Sequence, residues 1–184
     1  IIIYMAKDLT TSAIERQNVL NNSLAIPRIQ SALDIEAYHF EGKYYLTKQM
    51  VADFYEVDVR TIERYLETNK EELERNGYFL CRGKRLKEFK LQFAPDINVG
   101  HKTVSLSLFD FRAFLNIGML LAESEKAKRI RSLILDIVIS TINEKAGGGT
   151  KYINWRDRDF LPAAIQEENY RKNLTAPIND YVDG

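Results

Sequence analysis

The stretch YYLTKQMVADFYEVDVRTIERYLETNKEELERN, residues 44–76, decides the fold prediction for this chain. Its first half has apolar residues at helical spacing, namely Leu46, Met50, Val51 and Phe54. Thr47 stands where a helix N-cap belongs, and the helical pattern breaks at residues 56–58. Asp58 can then cap a second helix over residues 59–73, whose apolar positions are Val59, Ile62, Tyr65, Leu66 and Leu73. Two short helices joined by a tight turn are typical of a helix-turn-helix.

The side chains at the start of the second helix suit DNA. Arg60, Thr61 and Arg64 lie away from its apolar stripe, in the part of a recognition helix that reaches base edges and phosphates. Arginine fits guanine or phosphate, and threonine fits phosphate or a thymine methyl group. The alternative is an ordinary helical hairpin inside a protein core, with Arg60 and Arg64 as solvated charges.

A basic segment, GYFLCRGKRLKEFKLQF at residues 77–93, follows the helix pair. We expect a strand over residues 78–81, a turn over 82–84, and a further strand or a short helix over 86–93. Residues 75–90 hold six basic side chains against the single acidic Glu88; they are Arg75, Arg82, Lys84, Arg85, Lys87 and Lys90. A basic hairpin after a helix-turn-helix is the place of a wing that contacts the phosphate backbone. The alternative is a solvated hairpin protected from edge pairing by its charges.

The flanking sequence completes an α+β prediction. One amphipathic helix is expected over residues 8–26, with Pro27 interrupting it and with the apolar stripe Ile14, Val19, Leu20 and Leu24. A hairpin is expected from residues 35–40 and 43–46 around Glu41-Gly42. A strand over 104–108 and two packed helices, opened by Asp110 and Ser124, close the domain.

These elements predict a chain of four parts. Residues 1–30 form a helical arm and residues 31–146 form the helix-turn-helix domain with its small antiparallel hairpins and wing. Residues 147–150, within AGGGT, form a glycine linker, and residues 151–184 form a helical extension that begins a truncated C-terminal domain. The extension is too short for a stable core of its own, so a second domain or an arm on another chain is expected.

Amino-acid composition limits the classes of protein to which this chain can belong. The formal net charge is zero, which argues against a protein that coats nucleic acid but permits a local basic face. The lone Cys81 excludes an intrachain disulfide and fits a reducing, cytoplasmic location, and no run of apolar residues approaches a membrane span. Its basic neighbours predict a lowered thiol pKa, although the expected role is a small strand residue.

Motifs for chemistry are missing from the sequence. No phosphate-binding or dinucleotide-binding glycine loop, no nucleophile elbow and no HExxH or CxxC pair occurs, and neither His39 nor His101 has a neighbour at metal-ligand spacing. We therefore expect no enzymatic activity, no catalytic residues, no cofactor and no metal site.

The order of features resembles the phage and bacterial DNA-binding domains of the KilA-N, Bro-N and RhuM group. The resemblance covers about residues 35–145 and is carried by MVADFYEVDVRTIERYL (50–66), NKEELERNGYF (69–79) and NIGMLLAESEKAKRIRSLILDIV (116–138). The chain departs from the group's pattern at residues 94–103 and at RNGYF, which replaces an acidic motif.

The resemblance implies a regulator of mobile-element origin that binds double-stranded DNA, such as a transcriptional regulator, a phage-type antirepressor or an antitoxin-like factor. It places Arg60, Thr61 and Arg64 at bases and phosphates, and Arg82, Lys84, Arg85 and Lys87 at the backbone. Lys48 and Gln49 would reach phosphates from the first helix. A homodimer is expected on the usual twofold plan. The alternative function is a protein-interaction module that docks a repressor or a toxin.

Overall fold

Eight helices and a four-stranded antiparallel sheet make up the described part of the chain, which is residues 8–94, 96, 100 and 102–146 of a computed structural model. The helices are α1 (Ala13–Leu20), α2 (Ala25–Ala32), α3 (Lys48–Tyr55), α4 (Val59–Thr68), α5 (Lys70–Arg75), α6 (Gly83–Phe93), α7 (Phe111–Leu120) and α8 (Glu125–Lys145). The strands are β1 (Tyr38–Phe40), β2 (Lys43–Thr47), β3 (Tyr78–Arg82) and β4 (Ser105–Phe109). The α+β prediction is confirmed. His101, the glycine linker at 147–150 and the extension at 151–184 lie outside the described residues.

The chain divides into two compact units, Leu33–Ala127 and a second unit made of Ile1–Ala32 with Lys128–Gly184. The described part of the second unit consists of α1, α2 and most of α8. The first unit contains the sheet and helices α3 to α7, including the helix pair from which the fold was predicted.

In the second unit, the single helix predicted over residues 8–26 is wrong. The chain forms α1 and α2 instead, because the Asn22 side chain accepts hydrogen bonds from the Leu24 and Ala25 amides at 3.1 and 3.0 Å and starts a new helix. Pro27 lies in the first turn of α2, where its missing N–H is not needed. The predicted apolar stripe is only half right, since Ile14 is 75% exposed while Val19 and Leu20 are buried.

In the first unit, the predicted β1–β2 hairpin is confirmed. Glu41 and Gly42 connect the strands with φ of 51° and 80°, the two positive values that a type I′ turn requires. The strand order is β1-β2-β4-β3, so β3 pairs with the distant β4 and not with the segment that follows it.

The predicted wing hairpin over residues 78–93 is wrong. Residues 83–93 form α6, which is the helical alternative for this segment, and its Leu86 and Phe89 join the core on one face of the sheet. The other buried members of that core are Phe40, Tyr45, Cys81 and Leu108. Apolar residues at positions i, i+3 and i+7 (Leu86, Phe89 and Phe93) face one side of a helix, and burial of that side against the sheet selects the helix.

The helix-turn-helix consists of α3, the three residues 56–58, and α4. Both predicted caps are present, because Thr47 Oγ1 accepts from the Met50 amide at 3.2 Å and Asp58 Oδ1 accepts from the Arg60 amide at 2.8 Å. The second helix is shorter than predicted. It ends at Thr68, and α5 begins at Lys70 after Asn69, so Leu73 belongs to a different helix.

The turn between the two helices passes through the left-handed region at Glu56, with φ of 58° and ψ of 45°. A residue with a Cβ is strained there, and glycine is the residue that adopts this conformation without cost. Glu56→Gly is therefore expected to raise the free energy of unfolding by about 0.5–1 kcal/mol, measured by urea denaturation, after the entropy loss of glycine is deducted. Glu56→Ala is the matched control, because it removes the same side chain but keeps the Cβ. Equal stability of the two variants would refute strain at this residue.

Candidate nucleic-acid interface

The first turn of α4 presents Arg60 to solvent. Its backbone amide is bound by Asp58, but its exposed guanidinium has no hydrogen-bond or ion-pair partner among the described residues. Thr61 is half-buried beside it, and its amide donates to the Asp58 carbonyl at 2.9 Å. The cap thus fixes the backbone of this turn and leaves the arginine side chain available for a ligand.

Arg64, one turn further along α4, is already paired. Its Nη2 lies 2.5 Å from Glu123 Oε2, and the neighbouring Tyr65 hydroxyl donates to Glu123 Oε1 at 2.7 Å. These contacts place Glu123, which lies in the connection between α7 and α8, against the solvent side of α4. We name the three residues Arg64, Tyr65 and Glu123 the carboxylate clamp.

The clamp lowers the pKa of Glu123 below its ordinary value of 4.5, chiefly through the hydrogen bond from Tyr65 and also through Arg64. The pKa of Tyr65 is raised, first by burial and then by Glu123. A lowered carboxyl pKa means that the folded state prefers the charged form. The stabilisation by Glu123 is therefore present above pH 4.5 and is lost as the pH falls through its lowered pKa.

Lys48 and Gln49, at the start of α3, also have acidic partners. Lys48 Nζ lies 2.8 Å from Glu63 on α4, and Gln49 donates to Asp53 one turn along its own helix at 2.8 Å. The Lys48–Glu63 pair links the two helices of the motif. A phosphate that approached Lys48 would have to share this lysine with Glu63.

The basic segment forms the end of β3 and the start of α6. Arg82 is the N-cap residue of α6 and provides no side-chain cap, while Lys84 and Lys87 lie in its first turns. All three side chains are exposed and have no ion-pair or hydrogen-bond partner within the described ranges. Cations at a helix N-terminus add to the positive end of the helix dipole, so this place attracts anions.

Arg85 differs from Arg82, Lys84 and Lys87. Its guanidinium lies 2.6 Å from Glu41 in the β1–β2 turn and 4.4 Å from the ring centroid of Phe79. The hydrogen bond with Glu41 is the main reason that the pKa of Arg85 is raised. Arg85 therefore joins α6 to the hairpin and already has Glu41 as an acidic partner.

An open groove of about 710 Å³ lies between the helix-turn-helix and the sheet. Its lining includes Lys48, Val59 and Glu63 from the helix pair, and Leu80, Ser105 and Ser107 from β3 and β4. Arg60 directly follows Val59 on α4. Arg82 lies on the same face of β3 as Leu80 and is paired in register with Ser105. Arg60 and Arg82, which have no side-chain partner among the described residues, thus lie next to lining residues on the two sides of the groove.

The helix pair and the start of α6 differ in charge. Residues 48–76 hold five basic and eight acidic side chains, whereas residues 82–90 hold five basic and one acidic. The positive potential of the first unit is therefore concentrated on the start of α6, and α4 offers an isolated Arg60 within an acidic segment.

Polar contacts that the sequence does not reveal hold these elements together. Asn76, at the end of α5, donates to Asn116 on α7 at 2.8 Å, and Asn116 donates to Glu72 at 2.6 Å. Arg112 donates to Asn76 Oδ1 at 3.0 Å, so both buried amides are satisfied. No local signal marks these residues, because their partners lie 36 to 44 positions apart in the chain.

The expectation for the thiol pKa of Cys81 is wrong. Burial raises it, and the opposing effect of Arg85 is smaller. The role of Cys81 as a small buried strand residue is confirmed.

The described residues contain no cluster of three His, Cys, Asp or Glu side chains that could hold a metal ion. Among them there is also no helix with the length and apolar character needed to cross a membrane. Comparison of the chain with family models, with curated proteins and with solved structures gives no significant match.

Proposed function

We propose that this protein is a DNA-binding regulator that uses α3 and α4 as a helix-turn-helix and the start of α6 as its phosphate-binding surface. The observation that carries the proposal is that Arg60, on the capped first turn of α4, has no side-chain partner among the described residues. Recognition helices read base edges from this position. Double-stranded DNA is the partner, and the start of α6 takes the place of the wing expected from the sequence.

The proposal divides the cations of the first unit into two roles. Arg60, with Thr61 beside it, contacts bases, because bidentate pairing of arginine with guanine carries sequence information. The phosphates are contacted by Arg82, Lys84 and Lys87, because a group of exposed cations neutralises the backbone without reading the sequence. Lys48 and Gln49 add contacts from α3 where the DNA backbone crosses the motif.

The regulatory class rests on the sequence alone. The resemblance to the KilA-N, Bro-N and RhuM group makes a transcriptional regulator or an antirepressor of phage origin the preferred class. A twofold dimer would place two copies of α4 about one helical turn apart on DNA and would double the number of contacts.

A protein partner is the second candidate, and the acidic excess over residues 48–76 favours it. In that case the partner would present a basic surface to the helix pair, as a toxin or a repressor with a nucleic-acid-binding face does. The two candidates differ in their response to DNA. A DNA-binding regulator binds random duplex at low salt, and a module that binds only proteins does not.

The test uses Arg60→Ala. Wild-type protein is used to select a preferred duplex from a random pool, and affinities for that duplex and for random duplex are measured by fluorescence anisotropy. We expect the variant to lose about 10- to 100-fold in affinity for the selected duplex, because one bidentate base contact is removed, and to keep its affinity for random duplex within about threefold.

Arg75→Ala is the matched control. Arg75 is an exposed arginine at the end of α5, outside the proposed recognition helix α4. Its removal changes the net charge by the same amount as the removal of Arg60. If both variants lose the same affinity, Arg60 acts only through charge. If Arg60→Ala leaves the selected duplex as tightly bound as before, the assignment of α4 as the recognition helix is refuted.

A further inference from the structure

We infer that Glu123 competes with DNA phosphate for Arg64, so that the carboxylate clamp masks a second DNA contact on α4 until the backbone displaces it. The inference rests on the proposed function and adds a regulatory residue to it. Sequence reasoning assigned Arg64 to DNA directly, whereas the structure gives it an acidic partner from 59 positions further along the chain.

The clamp resembles a phosphate contact in its chemistry. Arg64 donates to one carboxylate oxygen of Glu123 and Tyr65 donates to the other, at 2.5 and 2.7 Å. A phosphate group also offers two anionic oxygens to neighbouring donors, and arginine and tyrosine are both frequent phosphate contacts. Glu123 therefore occupies the donors that a phosphate of the DNA backbone would use.

The position of the clamp on α4 suits this exchange. Arg64 follows Arg60 by four residues, so the two side chains lie on the same face of the helix. DNA held by Arg60 would bring its backbone close to Arg64. The guanidinium is already oriented, because it lies 5.0 Å from the ring centroid of Tyr65.

Glu123 is held in place by the chain around it. The next residue, Ser124, donates its hydroxyl to the Tyr55 carbonyl at 2.7 Å and caps α8 by accepting from the Ala127 amide at 3.0 Å. The α7–α8 connection is thus fixed to the end of α3. The competing carboxylate is consequently presented to Arg64 by the fold.

The solvent exposure of the clamp determines whether Arg64 binds Glu123 or a DNA phosphate. The side chains of Arg64 and Glu123 are 51% and 45% exposed, and ion pairs of such exposure are weak. A phosphate that takes Arg64 gains from counterion release, and this gain is large only at low salt, so the backbone displaces the carboxylate there and Glu123 keeps Arg64 at moderate salt. DNA binding would then be weaker than in a protein that lacks the competitor.

The experiment measures binding of random duplex over a series of salt concentrations for wild type, Glu123→Gln and Glu67→Gln. We expect Glu123→Gln to bind about fivefold more tightly and to steepen the salt dependence by about 0.9 logarithmic units, which corresponds to one additional phosphate contact. Glu67 is the matched control, because it is an exposed acid on α4 with no partner in the described part of the chain. Its removal is expected to leave the salt slope unchanged.

A double variant tests whether the effect of Glu123 on DNA binding requires Arg64. In the Arg64→Ala background, Glu123→Gln is expected to give no further gain in affinity, and a gain that persists there overturns the inference. A salt slope of Glu123→Gln equal to that of wild type also overturns the inference. In that case salt-dependent DNA binding by the wild-type protein still supports the proposed function. Absence of salt-dependent binding by wild type overturns the proposed function itself and the inference with it.

Discussion

Gly118→Ala is expected to lower the free energy of unfolding by about 2–4 kcal/mol, although alanine ordinarily stabilises a helix relative to glycine. A Cβ at position 118 would lie 2.5 Å from Tyr55 Cζ and 2.9 Å from Cε1, and closer still to the hydroxyl oxygen. Tyr55 cannot move aside easily, because it is fully buried, stacks on Phe114 and donates to the Phe114 carbonyl at 2.9 Å. Tyr55 is the last residue of α3, so the overlap would displace the helix-turn-helix from α7.

Urea denaturation measures this effect, and Gly100→Ala is its control. A Cβ at position 100 would have Thr103 Oγ1 as its nearest neighbour at 3.7 Å, which is an ordinary contact. We expect that control to keep wild-type stability within about 0.5 kcal/mol. A Gly118→Ala variant as stable as wild type would show that α3 is not packed on α7 through Tyr55 as the structure describes.

The second large effect is expected from the combined variant Arg82→Ala, Lys84→Ala and Lys87→Ala. If each side chain neutralises one phosphate, the plot of log affinity against log salt concentration becomes shallower by about 2.7 in this variant. At about 0.1 M salt the same change lowers the affinity for random duplex by about 10²- to 10³-fold. Stability is expected to change little, because the three side chains are exposed and have no partner in the part of the chain that the structure describes.

A second combined variant controls for net charge. Lys128→Ala, Arg129→Ala and Lys145→Ala removes three exposed cations from α8, away from β3 and α6 in the chain. We expect the salt slope of this control to stay near that of wild type. If both combined variants lose the same affinity, the basic surface at the start of α6 has no special role.

Local sequence signals were sufficient for the helix-turn-helix and the first hairpin. Thr47 and Asp58 identify the starts of α3 and α4 because N-caps depend on residues only two or three positions away. Glu41-Gly42 identifies the β1–β2 turn for the same reason. The strained Glu56 had no such signal, since the residue usually found in its conformation is glycine.

Other features depend on contacts with residues far along the chain, which local sequence signals do not predict. The segment that became α6 fits a strand or a helix locally, and its choice depends on the sheet that buries Leu86 and Phe89. The state of the candidate DNA contacts likewise depends on residues far along the chain, because Glu41 and Glu123 hold Arg85 and Arg64. A sequence shows which cations are present, but it does not show which of them already have a partner.

The proposed function requires the protein to bind duplex DNA through the exposed cations on α4 and α6. The most direct measurement is the affinity of the wild-type chain for a random fluorescent duplex, determined by anisotropy at salt concentrations from about 0.05 to 0.2 M. We expect the logarithm of the affinity to fall linearly with the logarithm of the salt concentration, with a slope of about −2.7 or steeper from the Arg82, Lys84 and Lys87 contacts. No binding at the lowest salt, or an affinity that does not change with salt, would contradict the account.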